Sequence, residues 1–167
     1  GPNVNPQTFE AYPNPSVVVA FSPRGGNKNI NKTLIAKGID MTKGPLYMMQ
    51  FAFSSDEVGE AILRRAEREI QENGKFSYYS VGDTPFALQG WSQFLKISGL
   101  KLTKDSEGRK QFVDDVDGKW FQRLGADEIS QIRQNVLIAP PEYANHHLKI
   151  EDKDYEVSAK IHHKVLA

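Results

Sequence analysis

Two apolar runs, each followed by a helical pattern, dominate the first half of this 167-residue chain. Val17–Phe21 and Leu46–Phe53 are apolar runs, and both predict buried strands. Behind each run the apolar positions change to helical spacing, over residues 27–37 and again over residues 58–70. A strand–helix–strand–helix order favours parallel pairing, with helices covering the sheet.

The second predicted helix carries signals for its start and for its outer face. Ser54 and Glu57 have the spacing of a capping box, which predicts a helix start at this point. Arg64, Arg65 and Arg68 alternate with glutamates along the same helix. This mixture predicts an ordinary exposed face held by ion pairs, and it argues against a basic binding surface.

The second half of the chain has a looser pattern. Thr84-Pro85 has the form of a helix cap followed by proline at the first helical position, so a helix is predicted from there to Ile97. The other predicted elements, in chain order, are a strand over 75–81, a short strand over 100–103, an irregular hairpin over 105–120, a short helix over 126–134 and a strand over 136–139.

The closing segment carries the most suggestive chemistry of the chain. In a strand, alternate side chains share a face, so His162 and Lys164 are predicted to project together while His163 points the other way. An imidazole beside an ammonium suits work on a phosphate. The imidazole can act as nucleophile or as acid and base, and the ammonium can hold the anion.

In the order of these features the sequence resembles the phospholipase D superfamily, particularly its small nuclease-like members. Val19-Ala20-Phe21-Ser22-Pro23, followed by Gly25-Gly26, is similar to the opening strand and turn of the family. Residues 47–55 are similar to its second strand, which ends in an aromatic-x-Phe-Ser/Thr-Ser step. Residues 160–164 are similar to the start of the family motif His-x-Lys-x-x-x-x-Asp.

The resemblance implies an α/β fold with a mixed, largely parallel sheet and helices on both of its faces. Residues 1–16 are then a tag remnant and an extended lead-in, and residues 17–167 are a single phospholipase D-like domain. The match leaves out residues from about 105 to 158, which are therefore interpreted as an inserted irregular segment.

The resemblance also implies an enzyme, a phosphodiesterase that works through a phosphohistidine intermediate. His162 would be the nucleophile or the general acid, and Lys164 would bind the phosphate, without metal or other cofactor. A second copy of the motif would come from a homodimer mate or from a later half of a longer chain. The favoured substrate is nucleic acid. The alternatives are a phospholipid headgroup and an inactive scaffold that keeps only the fold.

The motif is incomplete in one register and complete by spacing in another. Counting from His162, the motif aspartate falls beyond Ala167, as does the Ser/Asn strand that usually follows. His147, Lys149 and Asp154 match the whole spacing, but charged residues lie between them where a buried strand needs apolar ones. The competing interpretation is a hairpin with a charged turn over 151–154, so the first register is preferred.

Weaker candidates have ordinary structural explanations. The histidine pairs at 146–147 and 162–163 could bind a divalent metal with Asp152 or Asp154, but the favoured interpretation has no metal. The turn over 22–26 lacks the residues of a phosphate-binding loop, and the aspartates of 114–118 lack the glutamate of a calcium loop. Trp91 and Trp120 could stack on bases, although such positions more often belong to the core.

Bulk composition limits the function only loosely. Twenty-one basic and 21 acidic side chains give zero formal net charge, so overall charge does not support non-specific nucleic-acid binding. The chain has no cysteine, which excludes disulfides and thiol nucleophiles, and no apolar run spans a bilayer. Gly1-Pro2 is typical of a protease-cleavage scar, so the sequence does not choose a compartment.

Overall fold

The structure, a computed structural model, describes residues 29, 31–83, 86–138, 145–158 and 164–166. A π-helical segment, Asn31–Ala36, leads directly into the first α-helix. The α-helices of the described part are α1 Lys37–Met41, α2 Asp56–Asn73, α3 Gln93–Ile97, α4 Lys119–Leu124 and α5 Ala126–Arg133. Its strands are β1 Leu46–Gln50, β2 Tyr78–Gly82, β3 Leu100–Lys104, β4 Lys110–Asp114, β5 Val136–Ile138, β6 Asn145–Ile150, β7 Lys153–Ser158 and β8 Lys164–Leu166.

The main sheet contains four strands in the order β5-β2-β1-β8. β1 pairs with β2 in parallel, β2 pairs with β5 in parallel, and β8 runs antiparallel to β1 at the edge. The two parallel pairs follow from the helices that separate these strands along the chain, because parallel neighbours require a crossover connection. The predicted α/β fold with a mixed, largely parallel sheet is confirmed.

The two faces of this sheet differ in their cover. Leu46, Met48 and Tyr78 lie buried on one face, where they belong to the same hydrophobic core as Ile62 of α2 and Ile129 of α5. Apolar residues at helical spacing on α2 produce this contact. The alternate positions form the other face. It includes three exposed large residues of the described chain, Tyr47, Tyr79 and Leu137.

Residues inside the predicted insertion contribute to this architecture. β3 and β4 form a hairpin with five paired positions, which is more regular than the sequence predicted. α4 follows, a helix that the sequence did not predict, and it buries Trp120. Ile129 and Ile132 of α5 are almost fully buried in the core. Since β5 also pairs in the main sheet, this segment supplies part of the domain's interior.

The predicted start of α2 is shifted by one residue. Ser55, and not Ser54, is the cap, and its hydroxyl accepts a hydrogen bond from the backbone N–H of Val58 at 3.3 Å. The same hydroxyl donates to the carboxylate of Glu57 at 3.0 Å. Ser55 is the last extended residue before the helix, as an N-cap must be. The predicted end is confirmed, because Gly74 follows the helix with φ 75°.

The single helix predicted up to Ile97 is instead two short elements. A 3-10 turn covers Phe86–Leu88, and α3 begins at Gln93. Thr84-Pro85, the predicted start, lies outside the described residues. Ser92 interrupts the helix because its hydroxyl accepts a hydrogen bond from the N–H of Phe94 at 3.2 Å, as a new N-cap does.

Two glycines provide a matched stability test. A Cβ at Gly82 would lie 2.8 Å from the Cβ of Ala87, whereas a Cβ at Gly38 would have nothing within 4 Å. Gly82→Ala is therefore expected to lower the free energy of unfolding by about 1–3 kcal/mol through overpacking. Gly38→Ala, within α1, is expected to raise it by about 0.5–1 kcal/mol. Urea unfolding measures both changes. Equal effects of the two substitutions would contradict this packing.

Candidate active site

The position of β8 places the predicted catalytic strand at a particular edge of the sheet. Residue 164 lies opposite Gln50, and Leu166 lies opposite Met48. Gln50 is also the last residue of β1 and lies opposite Gly82, the last residue of β2. Because β8 is antiparallel, it begins where the parallel strands end. In open α/β sheets ligands bind at this carboxyl edge.

A groove of about 440 Å³ lies beside this edge. Its lining residues come from the π-helical segment, β1, the start of α2 and β8: Ile35, Met48, Gln50, Ala52, Phe53, Ser54, Ser55, Val58 and Leu166. Lys164 stands two positions before Leu166 on the same strand, and alternate positions of a strand belong to one face of the sheet. The Lys164 position therefore belongs to the groove side of β8.

The polar side chains that line the groove among the described residues are neutral. Gln50 is partly buried, and within the described ranges its side-chain amide makes no hydrogen bond. Ser54 is exposed at the rim, and Ser55 is engaged in capping α2. Sequence reasoning missed Gln50. The available signal was a polar residue inside an apolar run, immediately before the aromatic-x-Phe step.

Asp83 is a second polar residue that the sequence did not single out. It follows β2 directly at the same carboxyl edge, and only 3% of its surface is exposed. Its backbone carbonyl accepts a hydrogen bond from the N–H of Ala87, but its Oδ2 atom has no partner in the described part of the structure. Unpaired buried carboxylate oxygens are rare, so Asp83 is a further candidate functional residue at this edge of the sheet.

The predicted site residues are only partly covered by the structure. His162 and His163 lie outside the described residues. Lys164 is placed by the backbone of β8 and its register with β1. The catalytic roles of His162 and Lys164 therefore remain predictions.

The alternative register lies in a separate hairpin. β6 and β7 pair only with each other in the described part, which places His147 opposite Glu156 and Lys149 opposite Asp154. Glu151 and Asp152 form the turn with φ 49° and 60°. Consecutive positive φ values are typical of a tight type I′ hairpin turn. The competing prediction of a hairpin with a charged turn is confirmed, but the turn is shorter than the predicted 151–154, because Lys153 and Asp154 already pair within β7.

Of the weaker candidates, the aspartate turn and the tryptophans have ordinary positions, and the side chains of the histidine pairs lie outside the described part of the chain. In the described ranges no three His, Asp or Glu side chains converge to hold a metal ion, and no helix has the length and apolarity of a membrane span. The predicted turn at the aspartates is held by basic side chains, because Asp114 pairs with Arg133 and Asp115 pairs with Lys101. Trp91 is exposed and Trp120 is buried.

A second groove, of about 430 Å³, lies between α2, α3 and α4. Its two lysines are already engaged: Lys96 donates to Asp56 at 2.9 Å, and Lys119 pairs with Glu60. The hydrogen bond from Lys96 lowers the pKa of Asp56 below its usual value. Because carboxylates neutralise both cations, the described lining of this groove offers no free positive charge to an anion.

The arginines of α2 differ from the predicted exposed face. Arg65 is only 1% exposed, and its guanidinium donates to the hydroxyl of Thr42 and to the carbonyl of Gly44, each at 2.7 Å. Burial lowers its pKa. Arg68 donates to the backbone carbonyls of Asp40 and Thr42, at the end of α1, whereas Arg64 forms the expected kind of surface ion pair, with Asp40. Arg65 and Arg68 thus hold the end of α1 and the chain after it against α2.

Comparison with known proteins adds no family assignment: neither protein-family models nor curated proteins give a match to this chain. The resemblance to the phospholipase D superfamily therefore stays a prediction. It rests on the motifs quoted above, whereas the groove and the register of β8 are observations of the structure.

Proposed function

We propose that the chain is a phosphodiesterase whose reaction takes place at the carboxyl edge of the main sheet, beside the groove. The observation that carries this proposal is the register of β8, in which Lys164 lies opposite Gln50. In this register the Lys164 position lies at the edge where α/β sheets bind ligands. A strand elsewhere on the surface would not have placed Lys164 at the carboxyl edge of the sheet.

In the proposed reaction the imidazole of His162 attacks the phosphorus atom, and the bond to the leaving oxygen breaks. A second histidine, from another copy of the motif, donates a proton to that oxygen. Water then gives a proton back to the second histidine and attacks the phosphohistidine, the P–N bond breaks, and His162 is regenerated. Lys164 holds the non-bridging oxygens and offsets the negative charge that develops in the transition state.

One His-x-Lys segment supplies half of this machinery. The second half is assigned to a homodimer mate or to a later half of a longer chain, and either arrangement gives a two-fold or pseudo-two-fold relation at the site. The substrate proposed is a nucleic-acid phosphodiester, because the step from Phe51 to Ser55 is closest to the nuclease-like members of the superfamily.

The proposal is tested with labelled single-stranded DNA, RNA and phosphatidylcholine in the presence of EDTA. We expect hydrolysis of a nucleic acid that EDTA does not reduce, since no step uses a metal. His147→Ala is expected to retain this activity, because residue 147 belongs to the separate β6–β7 hairpin. Loss of activity in that variant would indicate that the catalytic motif is formed by His147, Lys149 and Asp154 instead. Activity abolished by EDTA would contradict the metal-free mechanism, and hydrolysis of phosphatidylcholine alone would contradict the substrate.

A further inference from the structure

The described lining of the groove beside β8 is uncharged, which favours binding of an uncharged part of a substrate. No charged side chain lines it among the described residues. A strand of nucleic acid binds through cations that follow its successive phosphates, and the described lining of this groove provides none. An uncharged group therefore matches the groove, while the reacting phosphate would lie at its β8 side.

The polar atoms of the groove favour an uncharged group with hydrogen-bonding edges. The Gln50 amide has two donor hydrogens and an acceptor oxygen, and no hydrogen bond engages it within the described ranges. A purely apolar ligand such as an acyl chain would bury this amide without a partner, which is unfavourable. A nucleobase would satisfy it, since a glutamine amide can pair with the edge of adenine through two hydrogen bonds.

The apolar lining and the size of the groove fit the same kind of group. Ile35, Ala52 and Leu166 are partly exposed and offer apolar surface to a planar ring, and Ser54 adds a hydroxyl at the rim. A volume of about 440 Å³ lies within the range of small-ligand pockets and is suited to one nucleoside.

We propose that this groove is a nucleoside subsite and that Gln50 sets its specificity by hydrogen bonding to the base. This inference rests on the proposed function and narrows its substrate class to esters that carry a nucleoside next to the reacting phosphate. The groove takes one nucleoside, so the enzyme reads the unit beside the scissile bond rather than a long stretch of strand.

The test compares two phosphodiesters with the same leaving group: the para-nitrophenyl ester of adenosine monophosphate, and methyl para-nitrophenyl phosphate. Only the first carries a nucleoside. We expect kcat/KM to be about tenfold or more higher for the nucleoside ester. Gln50→Leu should lower kcat/KM for that ester by about five- to tenfold, chiefly through a higher KM, and leave the methyl ester unchanged. Gln131→Leu, on the exposed surface of α5, is the matched control and should change neither.

Failure of the subsite and failure of the proposed function give different results. Equal losses for both esters in Gln50→Leu, or equal kcat/KM for the two esters in the unsubstituted protein, would overturn the subsite while leaving a phosphodiesterase. If neither ester is hydrolysed, the proposed function fails, and calorimetric binding of adenosine monophosphate still decides the subsite. Weaker binding by Gln50→Leu than by Gln131→Leu supports it, and no binding, or equal affinity in these two variants, overturns it.

Discussion

His162→Ala is expected to lower the phosphodiesterase activity of the chain by at least about 10³-fold. The imidazole is assigned the attack on phosphorus, and alanine offers neither a nucleophile nor an acid. Water would then have to attack the diester directly, without the covalent intermediate that divides the reaction into two easier steps. The rate of release of para-nitrophenolate measures the effect, because this leaving group needs little help from a general acid.

His163→Ala is the matched control for this prediction. It removes the same imidazole one position along the predicted strand, and alternation assigns residue 163 to the opposite face. We expect activity within about threefold of the unsubstituted protein, and circular dichroism should show that both variants are folded. Full activity in His162→Ala would remove the residue from the mechanism. Equal losses in the two variants would point to a structural effect.

Glu69→Ala is expected to lower the free energy of unfolding by about 3 kcal/mol. The Glu69 carboxylate accepts hydrogen bonds from the N–H of Gly44 at 3.0 Å and from the amide of Asn73 at 2.8 Å. It also lies 3.9 Å from the Nε atom of Arg65, and both side chains are at least nine-tenths buried. Alanine would leave the guanidinium of Arg65 buried without its counter-charge, which costs more than the loss of an exposed pair.

Glu72→Ala provides the comparison on the same helix. Glu72 pairs with Lys43 at 3.1 Å, but the two side chains are 44% and 70% exposed. We therefore expect a change of less than about 1 kcal/mol. Urea denaturation of both variants measures the difference, and similar losses would contradict a special role for the buried pair. Glu69→Gln should fall between the two, because it keeps an acceptor for Gly44 and loses the charge.

The elements with strong apolar periodicity could be predicted from the sequence. β1 and α2 could be predicted because an apolar run and a helical stripe are long, local signals. The parallel pairing of β1 with β2 followed from the intervening helix. The predicted strand over residues 17–21 lies outside the described residues, so its place in the sheet stays a prediction.

The details that failed depend on competition between neighbours or on tertiary contacts. Two adjacent serines could each cap α2, and the spacing rule favoured Ser54 although Ser55 takes the role. Ser92 divides a segment whose apolar residues have helical spacing, because its hydroxyl competes for the backbone. Arg65 was assigned to an exposed face since its hydrogen-bond partners, the hydroxyl of Thr42 and the carbonyl of Gly44, lie 23 and 21 residues away and no local pattern reveals them.

The candidate site was predictable in its motif and not in its surroundings. The residue types at 162 and 164 suggested phosphate chemistry, which stays a prediction, and residue 164 lies in a strand as the sequence predicted. The partners across the sheet were not visible, because the pairing of β8 with β1 joins residues 114 positions apart, Gln50 and Lys164. The role proposed for Gln50 depends on the groove that surrounds it, and no local sequence pattern reveals that groove.

Trapping the covalent intermediate tests the central claim most directly. The chain is mixed with the ³²P-labelled para-nitrophenyl ester of adenosine monophosphate, the reaction is stopped by denaturation at alkaline pH during turnover, and the labelled peptide is sequenced. The account predicts an acid-labile, base-stable label on His162, present in His163→Ala and absent from His162→Ala. Turnover without any label on the protein, or a label on another residue such as His147, would contradict it.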